Sequence, residues 1–126
     1  MERLDLAPAY DLIIDAMSDN EIKSTLEVRP SSDITAATWA NGSAGLVISL
    51  DAPFGTDHDT GTSTTSSSIQ PDYVLCQGAA RAGLGAGKEE VVVLDVGISP
   101  ALWARVGVDW DAGVFGGEYV VSLQRG

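Results

Sequence analysis

Apolar residues in this chain come in short runs, separated by clusters of Gly, Asn, Asp, Ser and Thr. Tyr10, Ile13, Ile14 and Met17 recur at the spacing of one helix face, and Pro8 suits a first helical position, so residues 8–26 read as helix. Ser18-Asp19-Asn20-Glu21 has capping-box spacing and restarts a second short helix carrying Ile22 and Leu26. A turn follows at 29–33. The runs Ile34 to Ala40 and Gly45 to Leu50 flank Asn41-Gly42, the strongest short hairpin signal, because both central residues of a type I′ turn need positive φ. Leu46, Ile48 and Leu50 then share one strand face.

Further strands are predicted at Tyr73 to Cys76, Val91 to Ile98, Val106 to Trp110 and Tyr119 to Leu123. Val91 to Ile98 is almost continuously apolar, as a strand covered on both faces would be. Gln77 to Gly87 is Gly/Ala-rich and reads as a flexible connection. Ser99-Pro100 ends the long strand, and residues 100–106 suit one helical turn. Short strands divided by turn residues, with no long helix among them, predict a mainly β, α+β fold: an antiparallel β-sandwich or β-barrel behind an N-terminal helical segment. The same pattern predicts one domain over residues 1–126, with 1–29 helical and 30–126 forming the β part around a long polar loop at 55–70.

Composition narrows the partners. The formal net charge is −11 and the pI about 4.1. The seven Lys and Arg are scattered, so there is no patch to neutralise phosphates, and nucleic acid and anionic membranes are excluded as partners. Basic protein surfaces and divalent cations remain. The single cysteine, Cys76, follows Val74-Leu75 and reads as a buried strand thiol. The first twenty residues carry four aspartates and lack a signal-peptide pattern, which predicts synthesis in the cytoplasm.

The segment from Gly55 to Ser68 holds the only histidine and no large apolar residue. Asp57-His58-Asp59 with Gly61 resembles the opening of a calcium loop, and makes Asp57 and Asp59 the candidate ligands of a weak calcium site. The late bidentate Glu and the flanking helices of an EF-hand are absent. Asp59-Thr60-Gly61 also resembles the Asp-Thr-Gly motif of retropepsin-like aspartic proteases. That chemistry needs a dyad at the end of a buried strand, and Gly55-Thr56-Asp57-His58 is not one. His58 beside Ser66 or Ser67 lacks the rigid support that nucleophilic catalysis requires. Gly83-Leu84-Gly85-Ala86-Gly87-Lys88 resembles a phosphate loop but has Glu89 where Ser or Thr belongs, and Arg81-Ala82 in place of the first Gly. No catalytic residue and no further cofactor are predicted. Trp39, Trp103, Trp110 and Phe115 are the candidate partner-binding residues, since large aromatics anchor protein interfaces.

A short acidic chain with a lone cysteine, Gly/Ser/Thr/Ala-rich β segments and no catalytic constellation resembles the small accessory proteins of tailed-bacteriophage virions, either capsid decoration (cement) or head–tail joining proteins. The resemblance implies a non-enzymatic homo-oligomer that binds and stabilises a larger protein shell and is incorporated into a virion. A carbohydrate- or calcium-binding β module is the alternative, followed by a small hydrolase.

Overall fold

The structure is a computed structural model that describes residues 9–17, 31–63, 68–85 and 87–123. Five strands form one sheet in the order β1-β2-β3-β4-β5: Leu12–Asp15, Leu46–Leu50, Tyr73–Gln77, Glu90–Leu94 and Val120–Leu123. The first four run parallel, and only β5 is antiparallel to its neighbour. An 11-residue helix, α1 (Ser31–Asn41), lies in the β1–β2 crossover. A short helix, α2 (Pro100–Arg105), and a 3-10 turn, Ala112–Phe115, occupy the β4–β5 connection.

This architecture corrects the expected antiparallel β-sandwich or β-barrel. A mostly parallel sheet with helical crossovers is a Rossmann-like α/β arrangement. Two local readings account for the error. Leu12-Ile13-Ile14 lies in a strand and not on a helix face; its two β-branched residues suit a pleated surface. Residues 18–26 of the expected helix lie outside the described residues. The second error is at Asn41-Gly42, which ends α1. The Gly42 N–H donates to the carbonyls of Thr38 and Trp39, each at 3.1 Å, and no hairpin forms there. The segment before it is helical because Ala36, Ala37 and Ala40 are strong helix formers and Asp33 sits in the first turn. The strand expected at Val106 to Trp110 does not form, and the strand expected over 91–98 ends at Leu94. β2, β3, β5 and the helical turn at 100 lie where the pattern puts them, within a residue or two.

The register decides what each sheet face meets. Paired residues point the same way, so Val47, Ser49, Val74, Cys76, Val91 and Val93 share one face. All six are buried. Ala37 and Ala40 of α1 pack there with Val47, Phe54 and Ile69, and small side chains let the helix approach closely. Phe115 covers Val74, Cys76, Val91 and Val93, with Trp110 and Leu84 beside it. The opposite face has no such cover: Leu12, Ile14, Leu46, Leu50 and Val120 are exposed.

One polar side chain is built into the covered face. Asp15, at the carboxyl end of β1, is only 3% exposed. Its carboxylate accepts the Ser49 hydroxyl at 2.7 Å, the Phe54 N–H at 2.9 Å and the Met17 N–H at 3.0 Å. A buried carboxylate persists only when it is supplied with donors in this way. Removing it strands the buried Ser49 hydroxyl and Phe54 amide. Asp15→Ala is therefore expected to lower the unfolding free energy by about 2–4 kcal/mol, measured by urea denaturation. A loss below about 1 kcal/mol would mean that the carboxylate is not the organising contact.

Candidate functional site

In open α/β sheets ligands bind beyond the carboxyl ends of the parallel strands. Here that edge gathers Asp15 after β1, Asp51 after β2, Gly78 after β3 and Asp95 after β4. These positions differ in what their side chains can do. The Asp15 carboxylate is enclosed and its oxygens are taken. Asp95 folds back on its own loop and accepts the Gly97 N–H at 2.8 Å. Asp51 is the accessible one, with its side chain 31% exposed.

Asp51 is also the only non-glycine residue with positive φ among the described residues, at 66°. For a residue with a Cβ this backbone is costly, and it persists where the surroundings over-determine it. They do so here. The Asp51 N–H donates to the Leu75 carbonyl at 2.8 Å, and the Ala52 N–H donates to the Leu50 carbonyl at 2.8 Å. Ala52 and Phe54 are fully buried, and the Phe54 N–H is held by Asp15. The turn thus holds Asp51 at the mouth of the edge. Arg81, from the β3–β4 loop, donates to Asp51 Oδ2 from Nη2 at 2.8 Å and from Nε at 3.2 Å. That hydrogen bond raises the Arg81 pKa above its ordinary value, despite a small opposing effect of burial. Cys76 lies beneath, with Sγ 3.8 Å from the Asp51 carbonyl. Burial first, and then the Asp51 charge, push the Cys76 thiol up, so it is a packed thiol and not a nucleophile.

Two loops frame this position. In the β2–β3 loop, Thr56 and Ser63 pair across a short bridge. Within it Asp57 Oδ1 accepts the Asp59 N–H at 3.0 Å, the Thr60 N–H at 2.7 Å and the Thr60 hydroxyl at 2.8 Å. The described part of the long polar loop is therefore a compact turn. It touches the β3–β4 loop backbone to backbone: the Gly83 N–H donates to the His58 carbonyl at 3.0 Å. A Cβ on Gly83 would stand 2.3 Å from the Gly61 nitrogen, and a Cβ on Gly61 would stand 2.2 Å from the Gly83 carbonyl oxygen. The glycines of the supposed phosphate loop serve this close approach, and no helix follows them.

The residues singled out in the sequence fall in three places. Asp57 and Asp59 share the β2–β3 turn, where Asp57 Oδ1 already has three donors. No cluster of three or more His, Cys, Asp or Glu suited to a metal occurs among the described residues. Trp39 is half-buried on α1 and meets Tyr10 edge-on at 6.0 Å. Trp103 stacks on Trp110 at 5.2 Å, and Trp110 lies 6.1 Å from Phe115, so these three form one aromatic group against β4. None of the four aromatics lies at the Asp51 turn. Asp51 and Arg81 escaped the sequence reading. The available signal was an acidic residue directly after the apolar run Leu46 to Leu50, followed by Ala-Pro-Phe-Gly, which marks a strand end that turns sharply.

The comparisons with known proteins agree with this geometry. A family model described as YjeF-related protein N-terminus matches residues 1–83. No curated protein matches the chain. Among solved structures, the crystal structure of yeast ynu0, YNL200c, matches with a TM-score of 0.65 at 18% identity, covering 90% of this chain and 46% of that one. The chain thus spans less than half the length of the yeast chain. These matches overturn the resemblance to accessory virion proteins of tailed bacteriophages. With it fall the non-enzymatic role in capsid decoration or head–tail joining, the incorporation into a virion and the expectation that the chain is no enzyme.

The β2–β3 turn yields a pH prediction. The Thr60 N–H, then the Thr60 hydroxyl and the Asp59 N–H, favour the charged form of Asp57 and lower its pKa below the ordinary 3.8. A depressed folded-state value means that the turn's contribution is complete above the ordinary value and is lost as pH falls through the lowered one. Carboxyl-carbon NMR titration is expected to place Asp57 below 3.8, with Thr60→Val moving it upward. A native value at or above 3.8 would contradict the turn as described.

Proposed function

The chain belongs to the YjeF-related protein N-terminus family, and we propose that it carries the acid/base edge of a metabolite-repair epimerase site acting on NAD(P)HX. Members of this family are NAD(P)HX epimerases. The single observation that carries the reading onto this chain is Asp51, an accessible carboxylate at the carboxyl edge of a parallel sheet, held on left-handed backbone and tied to Arg81.

An epimerase inverts one stereocentre. One bond at that carbon must break and re-form on the other face, and each half of the process moves a proton. A carboxylate that takes and returns a proton within hydrogen-bond reach supplies that chemistry. Asp51 fits the role by position: it is fixed by backbone hydrogen bonds on both sides and open to solvent. Arg81 orients the carboxylate and places a positive charge beside the edge. A dinucleotide's phosphates would meet that charge, even though the chain as a whole is acidic. The His58–Gly83 contact holds the two flanking loops together and fixes where Arg81 starts.

The reading predicts where ligand binds and what one substitution does. Titrating NAD(P)HX into isotope-labelled protein is expected to shift amides at Asp51–Gly55 and Gly78–Gly85, at the carboxyl edge. Amides at Asn41–Leu46, on the opposite edge, should stay put. Asp51→Asn keeps the shape of the side chain and is expected to slow epimer interconversion by at least about 100-fold without moving the urea midpoint. Unchanged turnover in Asp51→Asn, or shifts confined to the opposite edge, would overturn the assignment.

A further inference from the structure

The apolar face opposite α1 is the largest unexplained feature of the molecule. Leu12, Ile14, Leu46, Leu50 and Val120 are between 37% and 59% exposed, and pairing brings them onto one side of the sheet, with Leu12 beside Leu46. Parallel sheets are covered on both faces almost without exception, and contiguous apolar patches mark binding surfaces. The edge of the sheet repeats the pattern. Among the described residues β1 pairs only with β2, so the outer side of Leu12–Asp15 is an open template for another strand.

Two features on the page identify the occupant. The match with the yeast structure covers 90% of this chain but only 46% of that chain, so the same fold is carried there by a polypeptide with more than half its length outside the match. The open face and the open edge are the two places where a Rossmann-like sheet would continue. A second copy of this chain is the poorer fit, because each copy carries a formal charge of −11 and the two would repel on approach.

We propose that this face and the β1 edge receive a complementing polypeptide with the character of the remaining half of the yeast chain: helices laid across Leu12, Ile14, Leu46 and Leu50, and a strand paired to β1. The proposal rests on the fold alone and not on the epimerase reading, and its test uses no activity.

The test takes the chain by itself and then adds, as a separate polypeptide, the part of the yeast chain that lies outside the match. Alone, the chain is expected to be monomeric by light scattering, to bind a hydrophobic dye and to exchange the amides of Leu12–Asp15 rapidly. With the yeast polypeptide it is expected to form a 1:1 complex with a Kd of about 10 µM or tighter, to release dye and to protect those amides. Ile14→Lys is expected to abolish the complex. Ile14 is exposed, so the variant should fold; Val106→Lys, at a residue 71% exposed on the α2 cap, should bind normally. Three results would overturn the proposal: a dimer of the chain alone with Leu12–Asp15 protected, a dye-silent monomer, or no complex with the yeast polypeptide at 50 µM, roughly five times the expected Kd.

Discussion

A carboxylate taken out of water has to be surrounded by donors, and those that Asp15 recruits come from separate parts of the chain. Ser49 belongs to β2, Phe54 to the loop after β2, and Met17 to the segment leaving β1. One buried side chain therefore fixes the relation of two parallel strands and the first turn beyond them. Phe54 is fully buried between α1 and the sheet, so the polar anchor and the apolar plug lie in the same residue. Asp51 stands three residues before Phe54. Its left-handed backbone is held from one side by the sheet, through Leu75, and from the other by a turn whose far end is pinned to Asp15.

The same economy explains the glycines. Gly61 and Gly83 bring two loops into backbone contact, which sets Arg81 at the base of the β3–β4 loop and within reach of Asp51. The exposed Arg81–Asp51 pair contributes little to stability by general experience with surface ion pairs. Its importance is directional: it orients an accessible carboxylate at the edge of the sheet. Strain, a buried anchor and a positioned acid within a short stretch of chain are the physical basis for reading this edge as a site. The acidity of the chain as a whole says nothing about it.

The sequence exposed the strands better than their arrangement. Leu46 to Leu50, Tyr73 to Cys76 and Tyr119 to Leu123 are visible as apolar runs, but a run carries no sign of strand direction, and four short strands read equally well as a sandwich. The helix that would have settled the matter, α1, is built from Ala, Thr and Ser, and lacks the large apolar residues whose period reveals a helix face. Asn41-Gly42 then offered a hairpin turn where a helix ends. At β1 the spacing of Ile13, Ile14 and Met17 imitated a helix, because three residues of a strand are too few to show a period of two. The site was hidden for a different reason. Asp15 and Asp51 lie 36 positions apart and are joined only by the parallel register, while the eye-catching Asp57-His58-Asp59 cluster spends its carboxylate on its own turn.

The central claim is that Asp15 holds the loop that presents Asp51, and amide hydrogen exchange in Asp15→Asn tests it most directly. The amide side chain keeps the size of the carboxylate but leaves one acceptor oxygen where two served three donors. The account predicts that protection is lost at Asp51, Ala52 and Phe54 while Val91, Val92 and Val93 in β4 keep theirs. Equal loss across both sets, or none at Phe54, would contradict it.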